Sequence, residues 1–120
     1  MFLTDLTVKE GRNQEWELVH DLIYQGAREG FLVPRTFTTD FASVPRMFWS
    51  IIPPTGDYTK AAVIHDWLYV SKEVSRKDAD GIFERIMREA GVNKIKRSVM
   101  WAAVRLFGGF IWSKNESLES

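Results

Sequence analysis

The chain has 120 residues, 45% of them apolar and 27% charged, with sixteen basic residues balancing sixteen acidic ones. That length suits one domain with a core of its own, and the cancelled charge provides no long-range field for nucleic acid. With no cysteine there is no disulfide staple, thiolate metal site or cysteine nucleophile, and with two histidines a multi-histidine zinc centre is excluded.

The N-terminal residues Met1 to Asp5 lack the basic and apolar regions of a signal peptide. No run approaches the roughly 20 apolar residues of a membrane span. The expected location is therefore the cytoplasm.

The first third reads as β structure. Trp16, Leu18, His20, Leu22 and Tyr24 alternate with Glu17, Val19, Asp21, Ile23 and Gln25, the period of a half-buried strand. Gly26 to Gly30 forms a turn, and Phe31 to Phe37 returns, with Pro34 restricting it to an edge or an end. With an earlier strand from Phe2 to Val8, these make a three-stranded antiparallel meander over about residues 1–38. His20, alone in a strand, reads as structural.

Residues 39–58 are irregular and rich in proline and aromatic residues, including Pro45, Trp49, Pro53 and Pro54. Their apolar content points to an ordered connector with a short helical turn near Arg46 to Ser50. Asp40 caps the turn before Ala42-Ser43 or lends a carboxylate to a metal site.

Three helices follow over 59–112. The first spans about Thr59 to Val70. The second spans Lys77 to Ala90, with Ser75 and Asp78 as a capping pair, Gly91 as its stop, and a core stripe of Ala79, Ile82, Phe83, Ile86, Met87 and Ala90. The third spans Lys94 to Phe107 and is ended by Gly108-Gly109, with Ile95, Val99, Ala102, Ala103 and Leu106 facing inward. Residues 113–120 form a polar tail. The expected architecture is α+β in one domain over 1–112: an N-terminal antiparallel meander, a connector, and three helices packed on it.

The chemistry lies in the first two helices. Ala61-Ala62-Val63-Ile64-His65-Asp66-Trp67-Leu68-Tyr69 sets a histidine and an aspartate inside an apolar helix. Such groups cost free energy unless paired or bound to an ion. His65 and Tyr69 share a face, whereas Asp66 points about 100° away. Asp80, at the edge of the second helix's core stripe, is placed to face His65. A carboxylate on one imidazole nitrogen fixes the tautomer and leaves the other as a base toward water. Asp66, aimed elsewhere, suits a hard cation.

His-Asp-x-x-Tyr on one helix and Ala-Asp-x-x-Phe on the next resembles the catalytic helix pair of secreted and viral phospholipases A2. The resemblance covers about twenty-five residues. It implies His65 as the water-activating base, Asp66 as a calcium ligand, Asp80 as the group orienting the histidine, and Tyr69 as a supporting phenol. Only Gly56 stands near where that family carries a glycine-rich calcium loop, and the secreted members' disulfides have no counterpart.

Thr39-Asp40-Phe41-Ala42-Ser43-Val44-Pro45-Arg46, the His65 helix, and Arg76 to Phe83 resemble an uncharacterised family of short phage and prophage proteins. That likeness runs from about Val33 to Trp112 and implies phage origin.

Two functions fit these residues. One is a small calcium-assisted hydrolase of lipid or other esters, using His65, Asp80 and Tyr69, with Asp66 and Asp40 as metal-ligating candidates. The other is a non-enzymatic phage accessory or virion-associated module whose His-Asp cluster is structural. The aromatic third helix would then self-associate or dock on other phage proteins. Membrane-surface contact is expected only of a lipase. Arg97 and Arg105 on that helix suit a phosphate or are simply solvated.

Overall fold

A computed structural model of the chain describes residues 1–11, 15–39 and 56–119. Most of the expected connector, its helical turn near Arg46 to Ser50, and Asp40 lie outside the described residues; of its ends, Thr39 belongs to a strand and residues 56–58 to the first helix. The chain falls into two compact units, Met1–Asp40 and Phe41–Ser120. Strands occupy the first and helices the second, so the architecture is α+β.

The N-terminal unit is not a simple meander. Strands β1 (Val8–Glu10), β2 (Trp16–Leu18) and β5 (Thr38–Thr39) form one antiparallel sheet in the order β1-β2-β5. Strands β3 (Leu22–Gln25) and β4 (Gly30–Val33) form a separate antiparallel hairpin. The stretch expected as one strand from Trp16 to Gln25 is thus divided between two sheets.

The break has local causes. The backbone bends after Leu18, and the Asp21 carbonyl accepts the Thr4 hydroxyl at 3.1 Å. The Ile23 amide donates to the same Thr4 oxygen, and the Asp21 carboxylate takes the Arg35 amide at 2.7 Å. These side-chain bonds compete with a continuous ladder. Side-chain alternation is interrupted at the bend, where Val19 and His20 are both exposed, and resumes after it: Leu22 and Tyr24 are buried, as are Phe31 and Val33 opposite them. Phe2 makes only an isolated bridge to Tyr24, and the first strand lies later than expected. His20 is exposed.

The C-terminal unit holds α1 (Gly56–Ser71), α2 (Arg76–Glu89) and α3 (Lys94–Glu119). Helix α1 packs against both others and is buried continuously from Ala61 to Asp66. Its end is marked by Lys72, which takes the left-handed conformation at φ 55. Helix α2 begins as its sequence requires, with the Ser75 hydroxyl accepting the Asp78 amide at 3.1 Å. It ends at Gly91, φ 85, where the Gly91 amide reaches the Arg88 carbonyl and the Val92 amide reaches Met87. This pair of bonds satisfies two of the carbonyls a helix end leaves open. Its buried face matches the expected stripe, with Asp80 added and Ala90 only half-buried.

Helix α3 departs from expectation twice. It does not stop at Gly108-Gly109 but continues to Glu119 through the stretch expected as a tail. Its buried positions are Met100, Ala103, Val104 and Gly108, whereas Ile95, Val99 and Leu106 are exposed. A helix apolar on most sides leaves its inward face ambiguous from periodicity alone. Gly108 is needed for packing: a Cβ there would run into the Tyr69 hydroxyl. Among the described residues no helix is long and apolar enough to cross a membrane.

Candidate functional site

The site forms around Asp80 on the inner face of α2. Asp80 is wholly buried, and an unpaired carboxylate there would be very unfavourable. It has three donors from two other helices. His65 Nε2 lies 2.7 Å from Oδ1, and the Tyr69 hydroxyl donates to the same oxygen at 2.6 Å. Arg105 Nη1 on α3 donates to the other oxygen, Oδ2, at 2.9 Å.

Helical spacing explains the first two contacts. His65 and Tyr69 are one turn apart on α1, so both project toward the same stretch of α2. Their rings lie 4.4 Å apart, and the Phe83 ring lies 4.7 Å from the imidazole. Trp112 meets Tyr69 edge-on at 5.2 Å, held by Lys72, whose ammonium sits 3.9 Å over the indole and donates to the Trp112 carbonyl. The aromatic walls fix the orientation of the imidazole and phenol that the hydrogen bonds use.

The electrostatics follow from this packing. Burial pushes the Asp80 carboxyl up, but the bonds from His65, Tyr69 and Arg105 outweigh it and hold the carboxyl below the ordinary range. The Tyr69 phenol moves the opposite way, raised first by burial and then by its bond to the Asp80 carboxylate. It therefore stays a hydrogen-bond donor throughout the physiological range. Burial likewise raises the Tyr58 phenol, whose buried oxygen has no hydrogen-bond partner among the described residues.

The structure thus brings His65, Asp80 and Tyr69 together. Asp66, the next residue on α1, is only 9% exposed. Among the described residues no three His, Cys, Asp or Glu side chains stand close enough to hold a metal ion.

Sequence reasoning left Arg105 undecided between a solvated residue and a phosphate ligand. Its guanidinium instead joins the cluster, and Arg97 pairs with Glu84 at 2.9 Å. Arg105 escaped notice because it stands twenty-five residues beyond Asp80 on a helix with no recognisable motif. A second arginine braces it. Arg76, at the start of α2, donates to the carbonyls of Val104 and Arg105.

Chemically, the arrangement is an imidazole whose Nε2 is held by a buried carboxylate, braced by a phenol and a guanidinium. Such a carboxylate–imidazole pair orients a ring and stabilises its protonated form. The same bonds also serve a purely structural network that ties three helices together.

The fold and the site define an α+β protein with a buried His-Asp-Tyr cluster spanning a helix pair. The chain belongs to the DUF1353 family, described as proteins of unknown function, whose model matches residues 16–104. The match contains His65, Asp66, Tyr69 and Asp80 and stops one residue short of Arg105. The chain is also 41% identical over 78 residues to the uncharacterized protein y4jT of Sinorhizobium fredii (strain NBRC 101917 / NGR234). That likeness covers 63% of this chain and 23% of the relative, so the chain spans about a quarter of the curated protein it matches. No solved structure matches it.

Proposed function

We propose that this chain is a small hydrolase of the phospholipase A2 type, encoded by a phage or prophage and acting on a lipid or another ester. One observation carries the proposal: His65 Nε2 lies 2.7 Å from Asp80 Oδ1, with the Tyr69 hydroxyl on the same oxygen. In this reading Asp80 holds Nε2, so proton transfer to and from the attacking water falls to Nδ1. The imidazole takes the water proton as the oxygen attacks the ester carbonyl, and Asp80 stabilises the imidazolium that results. The imidazole then returns the proton to the leaving alkoxide. Calcium on Asp66, with Asp40 as a further ligand, belongs to the proposal as the group that would polarise the carbonyl.

A second reading rests on burial. His65 and Asp80 are both 0% exposed. A sealed and bonded cluster is what a structural network requires, and a substrate would reach His65 only after whatever covers it moves aside. In that case the protein is a phage accessory or virion-associated module. The outward apolar residues of α3, with Ile95, Leu106 and Phe110 each about three-quarters exposed, would then be its surface for self-association or for another phage protein. Either activity is placed in the host cytoplasm or the virion.

His65→Gln separates the two. The hydrolase reading expects a folded variant without ester turnover. The structural reading expects no turnover from the wild type and a fall in stability of roughly 1–3 kcal/mol in the variant.

A further inference from the structure

We propose that Arg105 is a positioning residue for the His65–Asp80 pair, holding the Asp80 carboxylate ionised and turned so that Oδ1 faces the imidazole. The inference rests on the hydrolase reading for its catalytic meaning, but its geometry stands independently. Asp80 has two oxygens with different partners. Oδ1 takes His65 from α1 at 2.7 Å and Tyr69 at 2.6 Å, and Oδ2 takes Arg105 from α3 at 2.9 Å. A carboxylate held only on Oδ1 would be able to swing about its Cβ–Cγ bond. One donor on each oxygen removes that freedom and fixes the plane in which the imidazole must lie.

The charge argument points the same way. Asp80 is wholly buried, and the Arg105 side chain is 30% exposed. Arg105 therefore reaches in from the surface and supplies the positive charge that a buried carboxylate requires. His65 and Tyr69 face Asp80 from α1 and Arg105 faces it from α3, while on α2 itself Arg76 stands beside Tyr69. Of these groups Arg105 is the permanent cation that touches the carboxylate. Without it, the wholly buried carboxylate would lack a permanent counter-charge.

Arg105 is also held in place. The Arg76 guanidinium bonds the carbonyls of Val104 and Arg105, fixing the turn of α3 that carries it.

The test is Arg105→Gln in the full chain, read by the carbon-13 signal of the Asp80 carboxyl as pH is lowered. The expected result is an upward move of the titration midpoint by about one pH unit or more, the scale for losing an adjacent arginine. An unchanged midpoint in the folded variant overturns the inference. Should Arg105→Gln fail to fold, the wild-type guanidinium decides. Resolved, slowly exchanging Arg105 Nη protons support a persistent bond to Asp80, and averaged, fast-exchanging ones overturn it. Neither readout needs turnover. A wild type without ester activity but with the carboxyl shift would end the hydrolase reading and leave Arg105 holding Asp80. Activity with no shift would end the Arg105 inference alone.

Discussion

Asp80 is the residue on which the C-terminal unit turns, since it takes bonds from His65 and Tyr69 on α1 and Arg105 on α3. Asp80→Asn would leave Arg105 without its partner anion and turn one acceptor into a donor aimed at other donors. Breaking a buried pair in this way costs about 3 kcal/mol, to be read as a fall in the urea midpoint at unchanged slope. Tyr69→Phe removes one bond to a charged acceptor and should cost about 2 kcal/mol. The pH dependence follows from the depressed Asp80 carboxyl. Because the unfolded chain's carboxyl protonates at higher pH than the folded one, acid favours unfolding. This contribution is complete above about pH 4 and is lost as pH falls through the folded value. Thermal melts across that range should show a steep acid limb in the wild type, and in Asp80→Asn a limb flattened by the loss of this group.

At the scale of elements, the glycines of the helices make opposite predictions. Gly108 lies where an added methyl would meet the Tyr69 hydroxyl, so Gly108→Ala should cost about 1–3 kcal/mol by overpacking and shift the phenol away from Asp80. Gly81, on the exposed side of α2, has no atom near the position of its missing Cβ, so Gly81→Ala should gain about 0.5–1 kcal/mol. Paired denaturation curves check both, and equal effects would contradict the packing of α1 against α3. Helix α2 was legible in the sequence because its cap, its stop and its single apolar face agree. Helix α3 was not. Its apolar residues surround the axis, and Gly108, which looks like part of a terminus, makes room for Tyr69. The strands were legible as alternation but not as sheets, because the bend after Leu18 depends on bonds from Thr4 and Arg35 distant in sequence.

For the whole molecule, the α+β order and the meeting of His65, Tyr69 and Asp80 could be read from spacing on two successive helices. Arg105 could not, because its contact spans a third helix and depends on the rotation of α3 about its axis. Membership of the DUF1353 family over residues 16–104 locates His65, Tyr69 and Asp80 within the shared part of the chain without assigning them an activity. The outward apolar side of α3 adds one expectation at this scale. Leu106→Glu should leave the melting temperature nearly unchanged, since Leu106 is exposed, and if that face self-associates it should lower the mass seen by sedimentation. The central claim is that His65 and Asp80 form a working water-activating pair. Its most direct test is ester turnover by the wild type and His65→Gln on phospholipid vesicles and soluble esters, with calcium and with chelator, alongside melts of both proteins. The wild type should turn the ester over, and a folded His65→Gln should not. Absence of turnover from the wild type on every substrate, or equal turnover by the two proteins, would contradict it.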